Sequence, residues 1–152
     1  MASSGTLIAS APDVHALANR VLAARGVAPV TLAETRGFIG QGVDVFVRRM
    51  RASRGIPEDA HGDIRDAFMA GYEGAVELTT IIEGADEAVR RLRRDGHSIG
   101  ICTNKPFGPA QAVLRHLGLM PLSDAVVGGD STPWRKPDPA PLIATFEALG
   151  EG

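Results

Sequence analysis

A hydroxyl, an amide and an ammonium follow one another at Thr103-Asn104-Lys105, directly after the apolar run Ile99-Gly-Ile-Cys102. The run suits a buried parallel strand, and Pro106 and Phe107 lead from the triplet into a new helical pattern. Ligands of open α/β sheets lie at the carboxyl ends of strands. The first N–H groups of a helix are unpaired and carry partial positive charge. A donor-rich strand end before a helix start is therefore a natural oxyanion site. The same residues also suit an ordinary strand-to-helix loop, and this stretch alone does not choose between the two. Other chemistry-bearing residues form no such pattern. His15, His61, His97 and His116 are scattered without metal-ligand spacing, and Cys102 sits inside the strand, where it reads as a small core residue rather than a nucleophile.

The elements that must position the triplet divide the chain in two. From Ser10 to about residue 75 the pattern is helical throughout. Ser10-Ala-Pro-Asp13 reads as a helix start with Asp13 as a cap residue, followed by Val14, Leu17, Ala18, Val21 and Leu22 at helical spacing and a stop at Gly26. Thr31-Leu-Ala-Glu34 is a capping box for a short second helix. Val43, Phe46, Val47 and Met50 define a third, with Arg48, Arg49 and Arg51 on its wet side. Ile64, Ala67, Phe68 and Tyr72 define a fourth. This is the pattern of a small helical bundle. After Thr79 the order becomes helix (84–95, with Ala85, Ala88, Val89 and Leu92 inward), strand (98–102), helix ending at Gly118, strand (Ala125-Val-Val127) and helix (141–149). That alternation predicts α/β with a parallel sheet.

Composition bounds the partners. Lys plus Arg number 16 and Asp plus Glu 18, a net charge of −2, which gives no electrostatic reason to expect nucleic acid or an anionic membrane. One cysteine excludes an internal disulfide and suits a reducing compartment. No apolar run approaches the roughly 20 residues of a membrane span, and Met1–Ala11 does not read as a signal peptide. The expectation is a soluble, cytoplasmic chain.

Four signals in order carry a resemblance: Gly5-Thr-Leu-Ile8, an all-helical insert, Cys102-Thr-Asn-Lys105, and Arg135-Lys-Pro-Asp-Pro139. Gly128-Gly-Asp-Ser131 ahead of Lys136, and Gly37-Phe-Ile-Gly-Gln-Gly42 in the insert, add to it. The chain resembles the haloacid dehalogenase-like hydrolases, and within them the phosphoglycolate phosphatase type. The resemblance implies an incomplete Rossmann-like parallel core (1–11 and 80–152) with an inserted all-helical cap (12–79). It implies Mg2+-dependent hydrolysis of a phosphomonoester, 2-phosphoglycolate to glycolate and phosphate, through an aspartyl-phosphate. Thr103, Asn104 and Lys136 fall on phosphate-binding positions, with Lys105 and Asp138 as supporting residues. Taken alone, Lys136 would be a solvated loop lysine, Lys105 could face solvent, and Asp138 would orient the Lys136 loop.

The family's first motif ends Asp-x-Asp-Gly-Thr, whereas Ala2-Ser3-Ser4 precede Gly5-Thr6 here. The nucleophile position is therefore Ala2 and the acid/base position Ser4. A methyl group cannot attack phosphorus, and a serine does not replace a metal-binding carboxylate. The fourth motif, an acidic run expected after a further strand, is not found, so Mg2+ would be held poorly. Three readings follow: a working phosphatase, a non-catalytic binder of a phosphorylated ligand or partner, and a fragment of a longer active enzyme. A sheet with an open edge predicts low stability or self-association.

Overall fold

The computed structural model describes residues 7–150. In chain order these form β1 (Ile8–Ala9), α1 (Ala11–Ala23), α2 (Leu32–Phe38), α3 (Val43–Ser53), a 3-10 turn at Glu58–Ala60 and α4 (His61–Tyr72). Then come β2 (Thr80–Ile81), α5 (Ala85–Arg94), β3 (Gly100–Cys102), α6 (Phe107–His116), a 3-10 turn at Met120–Leu122, β4 (Ala125–Val127) and α7 (Ala140–Ala148). The fold is mixed α/β with a helical insertion, as the periodicity predicts.

Helices α1 to α4 close around one hydrophobic cluster running from Val14 to Ala75. The main helices contribute the apolar stripes that their spacing demands: Val14, Leu17, Ala18, Val21 and Leu22 from α1, Val43, Phe46, Val47 and Met50 from α3, and Ile64, Phe68 and Tyr72 from α4. The Thr31–Glu34 capping box is present in both directions: the Glu34 N–H donates to the Thr31 hydroxyl at 3.1 Å, and the Thr31 N–H to the Glu34 carboxylate at 2.7 Å. Two expectations fail locally. Ala67 is exposed. Arg51 is buried rather than wet, because its guanidinium donates to the Ile56 carbonyl (3.0 Å) and to His61 Nδ1 (3.2 Å) where the chain turns after α3.

The second cluster gathers Val89, Ile99, Ile101, Leu114 and Leu119. Ala88 and Leu92, expected inside on α5, are exposed, and Val89 is that helix's one buried residue. Strands β3 and β4 pair in parallel, Gly100 opposite Ala125 and Cys102 opposite Val127. The ladder continues past both ends, through Asp124 N–H to the Ile99 carbonyl (2.7 Å) and Thr103 N–H to the Val127 carbonyl (2.9 Å). Helix α7 lies directly against this pair. A Cβ on Gly100 would stand 2.6 Å from Thr145 Cγ2, so the strand needs glycine there. The reading of two isolated parallel strands omits a second ribbon: β1 pairs antiparallel with β2, Ile8 opposite Ile81. Two-residue strands carry too little periodicity to be seen in sequence.

Candidate functional site

Strand β3 ends where it must to present Thr103. The Thr103 N–H is spent on the ladder and its hydroxyl accepts the Lys105 N–H at 3.1 Å, a local turn that bends the chain off the sheet. The backbone N–H of Asn104, at the tip of that turn, meets no acceptor among the described residues. The Asn104 side chain is fully engaged. Its amide donates to the Gly40 carbonyl (2.8 Å) and the Lys136 carbonyl (3.0 Å), and its oxygen accepts the Lys136 N–H (2.9 Å). It therefore binds three backbone groups of the helical insert and of the Lys136 loop.

Lys136 follows β4 by way of Gly128-Gly129. The Gly129 N–H donates to the Lys105 carbonyl at 2.7 Å, and a Cβ at Gly129 would run into the Asn104 carbonyl oxygen, so the loops from β3 and β4 approach as closely as backbone allows. The half-buried Lys136 ammonium donates to the Cys102 carbonyl at 2.9 Å. Burial pushes its pKa below the ordinary lysine value. The Lys136–Pro137 peptide is cis. Asp138, exposed, accepts the Ala140 N–H at 2.8 Å and so caps α7 at the far end of the loop.

Lys105 does not face solvent. The residue is 7% exposed, and its ammonium lies 4.2 Å from the centroid of the Tyr72 ring. The helix-start contribution expected at α6 is also changed: the Phe107 N–H is taken by the Asp130 carboxylate at 2.8 Å. An acid supplied from the β4 loop thus already takes the first N–H of that helix, which is therefore not available to an anion.

Asn104, Lys105 and Lys136 line one cavity of about 370 Å³ between the helical insert and the sheet. Gly40, Gln41, Gly42 and the apolar side chains of Val14, Phe46, Phe68 and Tyr72 form its other wall. Among the described residues, no Asp or Glu lines it. Thr103 lies behind the cavity rather than on it, Asp138 lies outside it, and Ala2 and Ser4 lie outside the described residues. Among the described residues no group of three or more His, Cys, Asp or Glu side chains is placed to hold a metal ion, and the described cavity wall offers Mg2+ no carboxylate.

Asp13 and Arg135 make long-range contacts that spacing alone does not predict. Asp13 is buried (6% exposed). It accepts the Leu78 N–H at 3.0 Å and the Thr79 hydroxyl at 2.5 Å, tying the start of α1 to the segment leaving the insert; the Ser10 side chain makes no cap bond to α1. Asp13 is thus a cross-link rather than a helix cap. Arg135 reaches toward Asp44 (3.9 Å) from the opposite side. Burial opposes ionisation of Asp44, but Arg65, His61 and Arg135 together hold its carboxyl below the ordinary value. Nothing in the sequence marked Tyr72 as more than core, since its role depends on a lysine 33 positions away.

A family model described as haloacid dehalogenase-like hydrolase matches residues 4–152. Phosphoglycolate phosphatase of Cereibacter sphaeroides (strain ATCC 17029) is 53% identical over 150 residues, covering 97% of this chain and 69% of that protein. The crystal structure of a predicted phosphoglycolate phosphatase from Haemophilus somnus superposes with a TM-score of 0.86 at 27% identity, covering 97% of this chain and 68% of that one. CbbY from Rhodobacter sphaeroides, solved in complex with phosphate, shares the fold at 18% identity with a TM-score of 0.74, over 97% of this chain and 69% of its own.

Proposed function

The chain belongs to the haloacid dehalogenase-like hydrolases, and we propose that its phosphatase-type cleft binds the phosphoryl group of a small phosphomonoester, 2-phosphoglycolate, without hydrolysing it. One observation carries the reading. The Asn104 N–H, without an acceptor among the described residues, stands at the tip of the β3 loop, whose Lys105 shares one cavity with Lys136 of the β4 loop, and no described carboxylate stands on its walls. A phosphoryl group meets such a set of donors with charge-assisted hydrogen bonds. The Lys136 ammonium, anchored on the Cys102 carbonyl, keeps its remaining protons for a phosphoryl oxygen. The Asn104 side chain holds the Lys136 loop in register. Thr103 shapes the turn, and its hydroxyl retains a proton to donate.

Turnover in this family needs a carboxylate to attack phosphorus and a second to move a proton. The corresponding positions are Ala2 and Ser4. When bound, Mg2+ offsets phosphoryl charge during the attack, but the described residues offer no cluster for it, and no step is assigned to it. The expected result is binding of 2-phosphoglycolate or inorganic phosphate by titration calorimetry, weakened about tenfold or more by Lys136→Ala as one charge-assisted contact is lost, with no Mg2+-dependent phosphate release. The second reading, turnover of 2-phosphoglycolate, is favoured by the 53% identity to a phosphoglycolate phosphatase. Release of phosphate that disappears in both Lys136→Ala and Thr103→Ala would establish it and overturn the first.

A further inference from the structure

Resting on that phosphate-binding reading, we propose that Lys105 is a second anion receptor, which selects phosphomonoesters carrying a second negative charge. A phosphoryl group held by the strand tip and Lys136 leaves Lys105 unanswered. The residue is 7% exposed, it lines the cavity, and no carboxylate lies within ion-pair distance among the described residues. What holds it is the face of Tyr72. A cation–π contact fixes the position of an ammonium but leaves its N–H donors on the side away from the ring able to meet water or a ligand.

Tyr72 is itself fixed. Phe68 meets it edge-on, with ring centroids 5.1 Å apart, and Phe46 stacks against Phe68 at 5.0 Å. The aromatic row ends at the lysine, so the ammonium is held on the wall of an apolar cavity that it shares with Lys136. Two ammonium groups lining one cavity, with no described carboxylate on its walls, repel one another when the space is empty. A ligand with two anionic groups gives each ammonium its own hydrogen-bonded counter-ion, whereas a simple monoester meets only the one at Lys136 directly. Tyr72 acts as a positioning residue in this arrangement, and Lys105 touches the ligand.

The test uses the full chain and three probes: 2-phosphoglycolate, its uncharged amide and methyl phosphate. For wild type the acid is expected to bind about tenfold or more tightly than the amide, the worth of one charge-assisted hydrogen bond. In Lys105→Met the acid-to-amide ratio should fall to about twofold or less, and in Lys105→Arg it should be retained. A short alkyl bisphosphate distinguishes a carboxylate from a second phosphate as the preferred partner. Equal affinity of wild type for acid and amide overturns the inference, as does a preference that survives Lys105→Met. If wild type binds none of the probes, the phosphate-binding reading itself fails and this one with it. Circular dichroism checks the fold of Lys105→Met. Should that variant not fold, Lys105→Gln supplies the same ratio.

Discussion

Lys136 is the residue whose ionisation the site can least do without. Its amine must be protonated to hold a phosphoryl oxygen, and burial already lowers its pKa below the ordinary 10.5. Affinity for phosphate is therefore expected to fall as pH rises through this depressed pKa, earlier than for a solvent-exposed lysine. Lys136→Arg should keep its charge through the same range, because guanidinium stays protonated. Calorimetric titration with phosphate from about neutral pH up to 10.5 compares the two. Glu34 behaves in the opposite sense. The Arg54 guanidinium (2.8 Å), with the Thr31 N–H, holds its carboxyl down to about 2 from 4.5. A depressed carboxylate contributes stability that is whole above the unfolded pKa and is lost as pH falls through the folded one. Acid unfolding followed by circular dichroism should show this contribution fading between pH 4.5 and about 2, and Glu34→Gln should remove that part of the slope.

Strands and helices decide whether those side chains meet. The turn from β3 and the turn from β4 touch backbone to backbone at Asn104 and Gly129. Gly129→Ala forces them apart, so it should cost about 1–3 kcal/mol by overpacking and weaken phosphate binding together with stability. Equilibrium urea unfolding and calorimetry on the same variant check both effects. Asp13 links α1 to the segment ahead of β2. Asp13→Ala strands the buried Thr79 hydroxyl and releases the part-buried Leu78 N–H, with an expected loss of about 1–3 kcal/mol. Urea unfolding measures that loss, and an unchanged midpoint would contradict the cross-link.

At the scale of the molecule, two hydrophobic clusters are joined across the cavity by a small set of polar contacts. Asn104 reaches the Gly40 carbonyl and Arg135 reaches toward Asp44, while Asp13, bonded to Thr79, ties the two ends of the insert to each other. On the outer side of α7, Leu142, Ile143 and Phe146 are 42%, 53% and 46% exposed and fall on one helix face. An apolar face of this kind favours contact between molecules. Sedimentation velocity is expected to show concentration-dependent self-association that Ile143→Lys with Phe146→Glu reduces. A monomer at every concentration would contradict it. Among the described residues no helix is long and apolar enough to cross a membrane.

Local and periodic features are legible in the amino-acid sequence by itself. The stripes of α1 and α3, the Thr31–Glu34 box and the parallel pair around Ile101 and Val126 follow from side chains a few residues apart, where spacing alone decides which face they share. The order of short motifs also identifies the family and the loops at Thr103 and Lys136. Contacts between distant segments are not legible there, because they depend on how the elements are brought together. Packing of α4 against the β3 loop sets Tyr72 under Lys105, folding of the β4 loop delivers Asp130 to the start of α6, and closure of the insert turns the Asn104 side chain from a ligand donor into a clamp.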